Sequence, residues 1–121
     1  VVFNNSTLGM VKLEMLVNGL PDFQTDVPDT NYAEIARAIG FHAERVEDAS
    51  RLEAAYREAF AAPGPALVEV ITDPNALSLP PAITGGQVVG FATAMSKIVL
   101  NRGIAEAFSM ATSNMRNIPR L

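Results

Sequence analysis

The sequence predicts an α/β domain, a parallel sheet with helices on both faces in three layers. Residues 66–71, Ala66-Leu67-Val68-Glu69-Val70-Ile71, form a nearly unbroken apolar run rich in β-branched residues, the pattern of a central parallel strand. Two shorter strand patterns precede it, at Val1–Phe3 and Phe41–Val46, each followed by helical text. Strands that alternate with helices are joined by crossovers, which make the neighbouring strands parallel.

Val1-Val2-Phe3 runs straight into Asn4-Asn5-Ser6-Thr7 and reads as a buried strand already under way, so sequence upstream is expected to be missing. Good helix formers without a breaker predict a helix over about 9–17, which Asn18-Gly19 and Pro21 stop. Residues 18–30 read as an irregular loop whose Asp22, Asp26 and Asp29 are solvated. A second helix begins at Asn31, with Glu34 completing a capping box, and ends at Gly40. Ile35, Ala36 and Ile39 fall on one side of it. After the strand at 41–46, Ser50 and Glu53 predict another capping box, with Leu52, Ala55, Tyr56, Ala59 and Phe60 facing the core and Pro63-Gly64-Pro65 ending the helix. Beyond the Asp73–Pro81 connector come two amphipathic stripes, separated near Asn101-Arg102-Gly103. The first is Val88, Phe91, Ala92, Met95, Ile98 and Val99; the second is Ile104, Ala107, Phe108, Ala111 and Met115.

The chain has 121 residues, enough to bury a core without a disulfide or a structural metal. It has no cysteine, which excludes a disulfide scaffold, a thiolate zinc site and a cysteine nucleophile. A net charge of −4 argues against a nucleic-acid partner, because that affinity comes from neutralising phosphates. The charge is uneven: residues 1–73 carry 12 acids and 5 bases, whereas residues 74–121 carry 1 acid and 4 bases.

One segment carries a specific chemical signal. A strand ends in Asn4-Asn5, two small polar residues follow, and Leu8-Gly9-Met10-Val11 opens a helix. Ligands of open α/β sheets sit at the carboxyl ends of strands, where Asn4, Asn5 and Thr7 are placed. Amide and carbonyl oxygens are hard donors suited to Mg²⁺ or Ca²⁺, but two of them cannot fill an octahedron.

The run Val2-Phe3-Asn4-Asn5-Ser6-Thr7-Leu8-Gly9-Met10-Val11 resembles the second half of the thiamine-diphosphate (ThDP) motif, a Gly-Asp-Gly followed downstream by Asn-Asn. With Asp29-Thr30-Asn31-Tyr32, the Gly64–Val70 strand and Pro80-Pro81, the whole chain resembles the C-terminal part of bacterial pyruvate:quinone oxidoreductases, the pyruvate oxidase family. The resemblance implies that residues 1–85 are the C-terminal part of a diphosphate-binding domain and residues 86–121 an amphipathic helical tail. It implies Asn5 as a side-chain Mg²⁺ ligand, Thr7 as a carbonyl ligand, and Asn4, Leu8, Gly9 and Val11 as cofactor-binding positions. Met10 would line the substrate pocket, and Glu14 would be the active-site carboxylate near pyruvate. The implied parent is a flavoprotein homotetramer, carrying FAD, that decarboxylates pyruvate to acetate and CO₂ and passes electrons to quinone. It would be cytoplasmic, peripheral on the inner face of the cell membrane through lipid contacts of residues 101–121.

The resemblance also marks what is absent: the Gly-Asp-Gly half, the domain that activates the cofactor ring and the FAD domain. The chain alone is therefore expected to be inactive, to bind ThDP weakly or not at all and to self-associate through apolar edges. Acetolactate synthases share the Asn-Asn and Leu-Gly-Met-Val text but more typically continue with a Trp-Glu pair, where this chain has Leu13-Glu14. Plainer readings stand beside these. Asn-Asn serves turns, Met10 fills cores, Glu14 is a solvated helix carboxylate, His42 is structural, and the module is a non-catalytic oligomerisation unit. The stripes with Arg102, Arg116 and Arg120 dock either on anionic lipid or on the protein itself.

Overall fold

The computed structural model describes residues 1–77 and 83–115. In chain order they form β1 (Val2–Asn4), α1 (Gly9–Val17), α2 (Tyr32–Ala38), β2 (His42–Val46), a 3₁₀ turn (Ala49–Arg51), α3 (Leu52–Ala61), β3 (Ala66–Ile71), α4 (Gly85–Arg102) and α5 (Ile104–Asn114). The Pro80-Pro81 connector, Arg116 and Arg120 lie outside the described residues. The chain divides into two units. The first comprises Val1–Ser6 with Pro28–Thr72; the second comprises Thr7–Val27 with the residues from Asp73 onward.

The first unit holds the predicted parallel sheet, in the order β1-β3-β2. Its apolar run puts β3 in the middle, where alternate residues serve opposite faces. Val68 joins Val46 and Ala55 in a small core beneath α3, with Leu52, Tyr56 and Val70 packed around it. Glu69 points the other way, where its carboxylate accepts the Ala33 N–H of α2. One helix therefore covers each face, which is the three-layer arrangement the sequence predicts.

Burial within the layers departs from the sequence reading. Val1 and Phe3 are not interior; Phe3 is 70% exposed because β1 is an edge strand and α3 packs on β2 and β3. Helix α2 buries Ala33 and Ala36, while Ile35 and Ile39 face outward. Phe60, expected inside, is 90% exposed. Asn31 does cap α2 by accepting the Glu34 N–H, and Gly40 ends it at φ +90°. Ser50 caps nothing: Asp48 accepts the Ser50 N–H at 2.9 Å and starts the 3₁₀ turn. That bond holds the Asp48 carboxyl below its ordinary pKa.

The second unit is helical. Leu13 and Leu16 of α1, Ala94 and Ile98 of α4, Met110 of α5 and Leu77 form its core. The expected stripes hold in part: Phe91, Met95 and Ile98 of α4 and Ala107 of α5 turn inward as expected, joined by Ala94, Met110 and Asn114, which lie outside those stripes. Val88, Ile104, Phe108 and Met115 are exposed. Gly90 lets α1 and α4 touch backbone to backbone, since a Cβ there would lie 1.9 Å from the Val17 carbonyl oxygen. Thr84 and Gln87 make a reciprocal capping box that starts α4, and Gly103 at φ +96° breaks it from α5. Asp22 is not solvated; it is buried and paired with Arg102 at 3.1 Å. Among the described residues no helix is long and apolar enough to cross a membrane.

Candidate functional site

Asn4 ends β1 and is buried in the first unit. Its Nδ2 donates to Glu69 Oε1 at 2.7 Å and to the Thr30 carbonyl at 3.0 Å, and its Oδ1 accepts the Ser6 N–H at 3.1 Å. The amide is thus fully used within the protein. Asn5, the next residue, is half-buried. Ser6 then adopts φ +50°, left-handed backbone that costs a non-glycine residue about 1–2 kcal/mol. The Asn4 side-chain bond to Ser6 offsets part of that cost.

Glu69 is 0% exposed, and its charge is tolerated because it is saturated with donors. Besides Asn4 and Ala33 it accepts Arg45 Nη1 at 3.2 Å from the paired position on β2. Arg45 also forks onto both oxygens of Asp29, at 2.9 and 3.0 Å, and reaches Glu47 at 3.1 Å. The Asp29 bond, then Glu47 and the Glu69 charge, raise the guanidinium pKa above its ordinary value. Asp29, expected to be solvated, is a partner in this network. Neither Glu69 nor Arg45 stands out by motif. The legible signal is a carboxylate inside an apolar central strand, which burial obliges to find partners.

In the second unit Thr7 is buried, and its hydroxyl donates to the Thr25 carbonyl at 3.1 Å. The Leu8 N–H donates to the same carbonyl at 2.8 Å, and Thr7 bridges to Asp26. Helix α1 opens at Gly9 with no side-chain cap from Leu8 and no acid in its first turn. Its first N–H groups thus suit an anion. Met10, Val11 and Glu14 lie on the exposed side of α1 while Leu13 and Leu16 are buried. Met10, at 62% exposure, is not core filler in this chain. Met10 and Glu14, four apart, share the outer face. Lys12, which no sequence motif singles out, is buried and donates to Asn75 Oδ1 at 3.0 Å.

Among the described residues no three His, Asp, Glu or Cys side chains cluster to hold a metal. His42 is exposed at the start of β2. An amide or main-chain carbonyl oxygen matches Mg²⁺ only where phosphate oxygens and further donors complete its shell. The uncapped start of α1 is chemically suited to a phosphate.

Comparison with known proteins identifies the family. The family described as thiamine pyrophosphate enzyme, C-terminal TPP binding domain, matches residues 1–70. The chain is 36% identical over 97 residues to the provisionally named thiamine pyrophosphate-containing protein YdaP of Bacillus subtilis (strain 168), covering 80% of this chain and 17% of that protein. It is 38% identical over 76 residues to the acetolactate synthase large subunit IlvG of Mycobacterium tuberculosis (strain ATCC 25618 / H37Rv), covering 62% of this chain and 14% of that protein. The chain thus spans less than a fifth of either relative. From the parallel α/β sheet, the Asn4-Asn5 edge that ends β1 and the match over residues 1–70, this chain belongs to the C-terminal TPP-binding domain family of thiamine pyrophosphate enzymes.

Proposed function

We propose that this chain is the C-terminal portion of a ThDP- and Mg²⁺-dependent, flavin-linked enzyme that decarboxylates pyruvate to acetate and CO₂ and passes the electrons to quinone. The observation that carries the cofactor half of this reading is the family match over residues 1–70, which contains Asn4, Asn5, Thr7, Leu8, Gly9, Val11 and Glu14. When bound, ThDP supplies the electron sink for loss of CO₂ from a 2-oxo acid, and the protein supplies orientation and electrostatics. Asn5 Oδ1 and the Thr7 carbonyl hold Mg²⁺, while Leu8, Gly9 and Val11 flank the cofactor. Asn4 supports the turn. Met10 shapes the apolar side of the substrate pocket, and the Glu14 carboxylate holds or moves a proton beside the 2-oxo acid.

The remaining donors and the FAD site belong to polypeptide outside this chain. The chain alone is therefore inactive in this reading, and the parent is a homo-oligomer. The exposed Phe3 on edge strand β1 supports that part. Lipid attachment through residues 101–121 has weaker support. Arg102 is engaged by Asp22 and Glu106, although Ile104 and Phe108 offer exposed apolar surface.

A second reading is an acetolactate synthase-like carboligase, which the likeness to the M. tuberculosis relative favours. Incubating the full-length protein with pyruvate, ThDP, Mg²⁺, FAD and a soluble quinone separates the two. Acetate formed in step with reduced quinone supports the oxidoreductase; acetolactate without quinone reduction supports the carboligase. Consumption of no pyruvate under either condition contradicts both.

A further inference from the structure

We infer that Glu69 is a positioning residue: its buried carboxylate orients the Asn4 amide and thereby sets the Asn4–Ser6 turn that carries Asn5. The inference rests on the proposed role of Asn5 in cofactor binding. A carboxylate in the middle of a central strand is a costly way to fill space, and an apolar residue of similar volume usually serves stability as well or better. What an apolar residue cannot do is accept hydrogen bonds. Glu69 accepts three, and one comes from the residue before Asn5.

The orientation argument is specific. With Nδ2 directed at Glu69 Oε1 and the Thr30 carbonyl, Asn4 Oδ1 is left facing the Ser6 N–H. A flipped amide would set oxygen against two acceptors and its NH₂ against the Ser6 N–H, so Glu69 and Thr30 select one orientation. That orientation anchors Ser6 in its left-handed conformation, immediately after Asn5. Arg45 holds the carboxylate in turn, through the paired β2 position. The chain of contacts Arg45–Glu69–Asn4–Ser6 lies wholly within the first unit.

The test uses the full-length protein in its cofactor-free form, with ThDP affinity measured by calorimetry at saturating Mg²⁺ and melting of the apo-protein followed in parallel. Groups that orient a metal ligand typically change affinity by about 10–100-fold when removed. Glu69→Gln and Asn4→Ala are each expected to raise the ThDP Kd at least about tenfold. The double variant should be no weaker than the weaker single, because both act through one turn. Additive losses, or a lowered melting temperature with unchanged Kd, would overturn the inference. Should Glu69→Gln fail to fold, Asn4→Ser decides in its place, since it leaves Glu69 paired with Arg45 and Ala33; unchanged affinity in that variant rejects the inference. Hydrogen exchange at the Ser6 amide of the apo-protein separates this inference from the cofactor reading. If wild type takes up no ThDP, the cofactor reading fails. Exchange at Ser6 accelerated at least about tenfold by Glu69→Gln would still support the positioning role, and unchanged exchange would refute it.

Discussion

Replacing Gly90 with alanine adds one methyl group where α1 and α4 meet backbone to backbone. The new Cβ would lie 1.9 Å from the Val17 carbonyl oxygen, 2.7 Å from the Val17 carbonyl carbon and 3.3 Å from the Gly19 nitrogen. None of these atoms belongs to a flexible side chain. Restoring ordinary contact requires the helices to separate by roughly 1.5 Å, which opens gaps around Leu13, Leu16, Ala94 and Ile98. Overpacking of this kind costs about 1–3 kcal/mol or somewhat more, and the better helix propensity of alanine returns at most about 1 kcal/mol. Gly86, on the same helix, has open space where a methyl group would go, with nothing within 4 Å, and serves as the control. Guanidinium unfolding followed by circular dichroism should therefore show Gly90→Ala destabilised by about 1–2 kcal/mol and Gly86→Ala stabilised by about 0.5–1 kcal/mol. A Gly90→Ala protein as stable as wild type would refute the close approach of these two helices.

Other expectations follow from individual contacts. Arg102→Met strands the buried Asp22 carboxylate and should cost about 1–3 kcal/mol in the same unfolding assay; no loss would show that Asp22 finds water instead. The Asp48 carboxyl is held below its ordinary pKa of 3.8 by the Ser50 N–H. Its contribution to stability is thus complete above that value and disappears as pH falls through the depressed one. Asp48→Asn should accordingly differ from wild type most at neutral pH and least in acid, and a pH-independent difference would contradict the assignment. In the full-length protein, Glu14→Gln should lower turnover by about 10²–10⁴-fold with little change in melting temperature, because Glu14 is exposed and its helix is held by Leu13 and Leu16. Unchanged turnover would remove Glu14 from the active site.

The elements that sequence predicts best are those set by local pattern. The apolar run at 66–71 is the central strand, α1 spans the expected 9–17, and Gly40 and Gly103 end helices in left-handed backbone. The elements it misjudges depend on partners far along the chain. Sequence groups Ile35, Ala36 and Ile39 on one side of α2, yet of these the surface that α2 meets in the sheet accepts only Ala36, together with Ala33. Asp22 reads as a loop acid because its partner, Arg102, lies 80 positions away. Ser50 has the residue type of a cap, but Asp48 reaches the vacant N–H first and closes a 3₁₀ turn. The Thr84/Gln87 box is a local pattern too, Thr-x-x-Gln, which the apolar stripe starting at Val88 overshadows.

At the candidate site, Asn4 and Asn5 look equivalent in sequence and differ in the fold. The first is buried with every polar atom of its amide engaged, and the second follows it half-buried. The engagement of Asn4 depends on Glu69, which Arg45 holds in turn; these residues come from two other strands, and no spacing rule connects them to residue 4.

The central claim is tested most directly by the Mg²⁺ dependence of ThDP binding to the full-length protein, compared between wild type and Asn5→Ala. The account predicts saturable binding by the wild type that is abolished by chelation and weakened at least about tenfold by Asn5→Ala. Equal affinity in the two proteins, or binding indifferent to Mg²⁺, would contradict it.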